Sequence, residues 1–162
     1  MSGRQAIDPG IEIRAATRAD IRRVASLIML GASTQTMTPA EIEAEATHPG
    51  YGQAFDQVQA SPDNMLFVAE RDGEVVGTFQ VTLIPGLVAR GRKRAKIESV
   101  HVAPECRGLG IGAIMIAHAL AFAEERGAGL VELTSNKDRV DAHRFYRKLG
   151  FAQSHEGFKK AL

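Results

Sequence analysis

"VHVAPECRGLGIG", Val100 to Gly112, is the stretch on which the reading of this chain turns. An apolar alternation runs into Ala103-Pro104, and Arg107 then introduces glycines at 108, 110 and 112, immediately ahead of a long apolar run. The pattern is a strand, a turn and the start of a helix. Such a junction gathers N–H groups that have no intrahelical acceptor at the positive end of a helix dipole, which suits an anion. Glycine serves there because a side chain would keep phosphate oxygens away from the amides, and because some of these positions require a positive φ. Arg107 adds a charge-assisted contact.

Spacing narrows the choice of phosphate. A nucleoside triphosphate loop needs Gly-Lys followed by Ser or Thr, whereas Ile111 and Gly112 follow Gly110. A dinucleotide fold needs G-x-G-x-x-G after an early buried strand, but the strand here comes late and carries Lys96, Glu98 and His101. A nucleotide-dependent oxidoreductase is therefore a remote reading.

Working outward, "IEIRAA" from Ile11 reads as a strand, and Thr17 with Asp20 opens an amphipathic helix that stops at Gly31. Thr38, Pro39 and Glu41 form a capping box for a second helix, which "YGQAFDQVQA" extends beyond His48-Pro49-Gly50. Two strands flank Asp72-Gly73 as a hairpin. "PGLVARGRKR" loops into the strand "AKIESVHV", and a helix apolar nearly all round runs from about Leu109 to Arg126. "LVELTS" is a strand, "DAHRFYRKLG" a short helix with Ala142, Phe145, Tyr146 and Leu149 inward, and "FAQSHEGFKKAL" one or two short strands. The order predicts a mixed α/β sheet with helices on both faces.

At this point "VHVAPECRGLGIG" resembles the acyl-coenzyme A motif of the GNAT superfamily of N-acetyltransferases, R-x-x-G-x-G after a strand, with Arg107, Gly110 and Gly112 in its fixed places. "AHRFYRKLGF" is similar to the superfamily's later A-x-x-F/L-Y-x-K-x-G-F segment through Ala142, Tyr146, Lys148, Gly150 and Phe151. The C-terminal stretch is also similar to that of small-molecule acetyltransferases such as the aminoalkylphosphonate enzymes. The resemblance covers nearly the whole chain from about Ile11. It implies a GNAT-like, mixed and mostly antiparallel sheet of six to seven strands flanked by about four helices, in one domain over residues 11–162 after a disordered lead, 1–10. It further implies acetyl-CoA as co-substrate, its pyrophosphate held by Arg107 and the amides of Gly108, Leu109, Gly110, Ile111 and Gly112.

Ile97 and Val100 lie three apart, so regular alternation would send them to opposite faces, and one bulge would restore a common face. The superfamily is known for a bulge at this place, which frees amides for the pantetheine arm and thioester. Val100, His101 and Val102 are the expected cofactor-binding residues, with Val100 and Val102 as backbone partners. The alternative is an ordinary buried strand with one odd side chain. Glu98 sits among apolar neighbours, where a carboxylate requires a partner or a task. The resemblance makes it the acceptor of the amine's proton; the alternative is a salt bridge to Lys96 or to a loop arginine. Tyr146 either packs its ring or, as the resemblance implies, protonates the departing thiolate. The commoner family pattern has asparagine where Arg139 stands, and Asn136 is the candidate to replace it on the pantetheine arm, or else a turn former.

The implied function is acetyl transfer from acetyl-CoA to a primary amine of a small molecule. A noncatalytic acyl-CoA-binding regulatory module and an acetyltransferase acting on protein N-termini or lysines are the alternatives. Twenty Lys plus Arg against 19 Asp plus Glu give a net charge of +1, so no global field points to nucleic acid or an anionic membrane. The basic run "RGRKRAK", Arg90 to Lys96, is a solvated loop or a grip for an anionic end of the substrate or a partner. Glu41, Glu43 and Glu45 read as an exposed helix face, and His118 as a hydrogen-bonded core residue. One cysteine, Cys106, forms no internal disulfide, and no cluster has metal-ligand spacing. With no run long enough to span a bilayer, the expectation is a cytoplasmic protein without metal; the resemblance admits a homodimer.

Overall fold

The computed structural model describes residues 10–32 and 35–162; the expectation of a disordered lead falls outside these, Gly10 apart. The chain divides into two compact units, Met1–Glu132 and Leu133–Leu162.

The first unit is built on a five-stranded sheet in the order β1-β2-β3-β4-β5: β1 (Ile11–Ala15), β2 (Asn64–Arg71), β3 (Glu74–Ile84), β4 (Lys93–Val102) and β5 (Ala128–Leu133), the last ending one residue into the second unit. The β1–β2, β2–β3 and β3–β4 pairs are antiparallel. The hairpin turn is Asp72-Gly73, both at positive φ, the conformation a two-residue loop needs to match strand twist. The two strands flank this turn as the sequence predicts.

Helices α1 (Ile21–Leu30), α2 (Pro39–Glu45) and α3 (Pro49–Ala60) lie between β1 and β2. The Asp20 carboxylate accepts from the Thr17 N–H at 2.7 Å and holds the Arg14 guanidinium at 2.7 Å, so the α1 entry is tied to β1. Hydrogen bonds from Arg14 and Thr17 outweigh burial and lower the Asp20 pKa to about 2. At α2 the predicted box is present: Glu41 N–H donates to Thr38 Oγ1 at 3.3 Å and Thr38 N–H to Glu41 Oε2 at 2.6 Å. "YGQAFDQVQA" belongs to a separate helix, capped by His48 with Pro49 in its first turn, because proline's fixed φ favours starting a helix over continuing one.

α4 (Val88–Gly91) is a four-residue turn in which Ala89 and Arg90 have positive φ. α5 (Ile111–Glu125) packs against the sheet face that carries Phe67 and Phe79. These rings stack at 5.0 Å, and His118 of α5 meets Phe67 edge-on at 4.9 Å. Burial lowers the His118 pKa, with Glu125 opposing. Among the described residues its partners are rings, not the hydrogen bond expected for it. At Gly77 an added Cβ would come within 2.7 Å of Met115 Sδ, so α5 rests on β3 where that strand has no side chain. The opposite face carries α1: Arg23 Nε donates to Val75 O at 3.0 Å, and Gly31 leaves no room for a Cβ beside the His101 ring.

The second unit holds α6 (Val140–Lys148) and the segment beyond it. Residues 151–162 contain no strand, which corrects the expectation of one or two. Their apolar residues, Phe151, Ala152, Phe158, Ala161 and Leu162, are too widely spaced for an alternating face, and Phe158 and Leu162 are exposed. The described sheet therefore has five strands rather than six or seven. Among the described residues there are six α-helices rather than about four, because His48-Pro49 splits one and α4 adds another.

Candidate active site

β4 departs from regular pairing where the sequence breaks its alternation. Gln80 pairs with Glu98 and Thr78 with His101, so Ser99 and Val100 together face Phe79. This is the expected β-bulge, and Ser99 adopts φ +52° to make it. A bulge leaves one residue out of the ladder, so the main chain near Val100 has hydrogen-bonding capacity to spare.

From Val102 the chain passes through a 3-10 turn, Pro104–Cys106, into Gly108 and Gly110 at φ +79° and +83°. Gly110 is the N-cap of α5 and no side chain caps it. Among the described residues, the N–H groups of Gly108, Leu109, Gly110, Ile111 and Gly112 reach no acceptor, and the first α5 bond runs from Ala113 to Gly110 O at 3.1 Å. A Cβ at Gly108 or Gly110 would meet nothing within 4 Å, so the ground beside these amides is open. Arg107 Nε donates to Val102 O at 3.3 Å, and the side chain is exposed. One end of the first unit thus brings together Val100, His101, Val102, Arg107 and residues 108–112.

Glu98 lies just before the bulge, half-exposed, 3.1 Å from Lys96 Nζ; the salt bridge held as its alternative is present. Sequence reasoning missed Asn64, Gln80 and Thr82, which join through Asn64 Oδ1 on the sheet face that Glu98 shares. Their signal was the polar alternation Thr78, Gln80, Thr82 in a strand otherwise apolar. Glu43 accepts from Ser26 Oγ at 3.3 Å and Glu41 caps α2, so two of the three acids on that helix have local structural tasks.

Tyr146 and Asn136 belong to the second unit. Tyr146 is half-buried between Phe145 and Phe151, with ring centroids 5.1 and 5.9 Å away. Burial raises its pKa and Arg139 partly opposes this, so the hydroxyl keeps its proton at neutral pH. Asn136 lies three residues past β5, with Oδ1 accepting from Asp138 N–H at 3.0 Å, the arrangement of a turn former. No group of three or more His, Cys, Asp or Glu among the described residues could hold a metal ion. Nor is any described helix long and apolar enough to cross a membrane.

Residues 34–151 match the model of the acetyltransferase (GNAT) family. The chain belongs to the GNAT family. It is an N-acetyltransferase. The aminoalkylphosphonate N-acetyltransferase of Salmonella typhimurium is 33% identical over 162 residues, which are 100% of this chain and 98% of the relative. A transcriptional regulator from Bacillus halodurans has a superposable structure, with TM-score 0.84 and 35% identity over 94% of this chain and 99% of that one. A predicted acetyltransferase from Clostridium acetobutylicum, solved with acetyl-CoA, shares the fold with TM-score 0.70 and 20% identity over 93% and 96% of the two chains. The family takes its acetyl group from acetyl-CoA. Unengaged N–H groups beside Cβ-free ground suit the pyrophosphate of that co-substrate, so the residues present fit it.

Proposed function

We propose that this enzyme transfers an acetyl group from acetyl-CoA directly to a primary amine of a small molecule. The observation that carries the reading is the bulged end of β4 running into the unengaged amides at the start of α5. A carboxylate, an interrupted ladder and an anion cradle follow one another within Glu98 to Gly112. The Salmonella typhimurium relative, named for aminoalkylphosphonates, supports a small amine as acceptor.

When bound, acetyl-CoA supplies an acyl group activated as a thioester. Arg107 and the amides of Gly108, Leu109, Gly110, Ile111 and Gly112 hold its pyrophosphate. The main chain of Val100, His101 and Val102 lines the pantetheine arm, and Asn136 is assigned to the same arm. A main-chain N–H near Val100 donates to the carbonyl oxygen, where negative charge develops. Glu98 accepts a proton from the acceptor ammonium, directly or through water, leaving a neutral nucleophile. The nitrogen bonds the acyl carbon and releases its extra proton to solvent, while the Tyr146 hydroxyl, kept protonated by burial, gives a proton to the sulfur as the carbon–sulfur bond breaks and regains one from solvent.

Thiol release from acetyl-CoA across a panel of primary amines tests the reading. Turnover is expected on at least one small amine, and Glu98→Gln should lower its kcat/KM by about 10²-fold or more. Intact coenzyme A binding with no turnover on any amine would overturn it.

A further inference from the structure

The sheet face that carries Glu98 bears polar residues on three neighbouring strands. Asn64 on β2 pairs with Thr82 on β3, Thr82 with Lys96 on β4, and Gln80 with Glu98. The Thr82 hydroxyl and the Gln80 amide nitrogen both donate to Asn64 Oδ1, at 2.7 and 3.2 Å, and Asn64 Nδ2 donates to Ser61 Oγ at 3.0 Å. This network fixes Gln80 with its amide oxygen unengaged among the described residues, on the strand position opposite Glu98.

Lys96 and Glu98 are alternate residues of β4, so they share that face. Their charged ends are 3.1 Å apart, with side chains 33% and 43% exposed, so both meet solvent. Two other cations of the run are engaged elsewhere: Arg94 holds Glu132 at 3.1 Å and Lys93 Nζ donates to Arg126 O at 2.9 Å. Within the basic run, Lys96 is the residue whose partner is the proposed base.

An ammonium that approaches Glu98 takes the place of Lys96 as its ion partner. A simple amine then leaves the Lys96 charge unpaired and sets two like charges a few ångströms apart. An acceptor that carries its own anion pairs both: its nitrogen goes to Glu98, with the Gln80 amide oxygen as a second acceptor, and its anion goes to Lys96. The side chains rise about 6.6 Å apart along the strand, a span that suits an amine and an anion joined by a short carbon chain. We propose that Lys96 is a specificity-determining residue that reads the anionic group of a zwitterionic amine, a carboxylate or phosphonate, while Glu98 takes the amine. This rests on the acetyl-transfer reading above.

The test compares kcat/KM for β-alanine and 2-aminoethylphosphonate with that for 3-aminopropanol and 1,3-diaminopropane, in wild type, Lys96→Met and Lys96→Arg. Wild type is expected to favour the anionic pair by at least about tenfold, as one charge-assisted contact allows. Preference within that pair identifies the anion. Lys96→Met should lose the preference, chiefly through KM, and Lys96→Arg should restore part of it. Equal use of both kinds of amine by wild type, or an equal loss on both in Lys96→Met, would overturn the proposal. Calorimetric titration of 2-aminoethylphosphonate and β-alanine, with coenzyme A present, separates the two levels. Lys96-dependent binding without turnover of any amine keeps the role of Lys96 and removes the acetyl-transfer reading; turnover without Lys96 dependence does the reverse. Neither binding nor turnover removes both.

Discussion

Replacing Gly110 by alanine separates a folding cost from a binding cost. Gly110 has φ +83° and a Cβ there would meet nothing within 4 Å, so no packing is lost and only the left-handed backbone is penalised. That penalty is about 1–2 kcal/mol, and each kcal/mol lowers Tm by about 2–4 °C in a chain of this size. Gly127, just past the other end of α5, is a matched control with φ +80° and equally open surroundings. Thermal unfolding should therefore show similar falls in Tm for Gly110→Ala and Gly127→Ala. Calorimetry with coenzyme A should divide them, with affinity falling by at least about tenfold for Gly110→Ala and holding within about twofold for Gly127→Ala. If both variants lose the same stability and neither loses affinity, the amides at the α5 start do not hold the pyrophosphate.

Asp20 titrates at about 2, below its ordinary 3.8, so its contribution of about 2 kcal/mol is fully present above pH 3.8 and fades as pH falls through about 2; urea midpoints at pH 5 and 2.5 should converge in Asp20→Asn. Tyr146→Phe should lower kcat by about 10²–10⁴ while leaving coenzyme A affinity intact, and unchanged turnover would remove Tyr146 from the reaction. The chain has two tyrosines, so subtracting the ultraviolet titration of Tyr146→Phe from that of wild type isolates Tyr146, whose midpoint should lie above 10. Ser99→Gly should stabilise the fold by about 1 kcal/mol by relieving a positive φ, as a rise in urea midpoint would record.

Much of the first unit is legible because its determinants are local. Asp72-Gly73 is sufficient for the hairpin turn, Thr38 with Glu41 for the start of α2, and the three-residue step from Ile97 to Val100 for the bulge. The positive φ values and open amides ahead of α5 are legible for the same reason, since they are properties of the loop itself. What escapes depends on partners distant in sequence. The Asn64, Gln80 and Thr82 network needs the strand register before it can be seen, and so does the alignment of Lys96 with Thr82. The C-terminal segment misled because Phe151 and Phe158 suggest a strand, whereas six residues separate them and all of these are polar or small. His118 misled because a histidine among apolar residues suggests a hydrogen bond, yet aromatic edges fill its surroundings.

Met115 occupies the notch that Gly77 leaves in β3, four residues along the helix from Ile111. A methyl introduced at Gly77 would have to displace the thioether, and the helix with it, because β3 is anchored on both sides by its neighbours. Any tilt of that helix re-aims the amides at its first turn. On the proposed reading, a substitution with no reach to substrate would thereby alter the affinity for coenzyme A, through a lever one helix long.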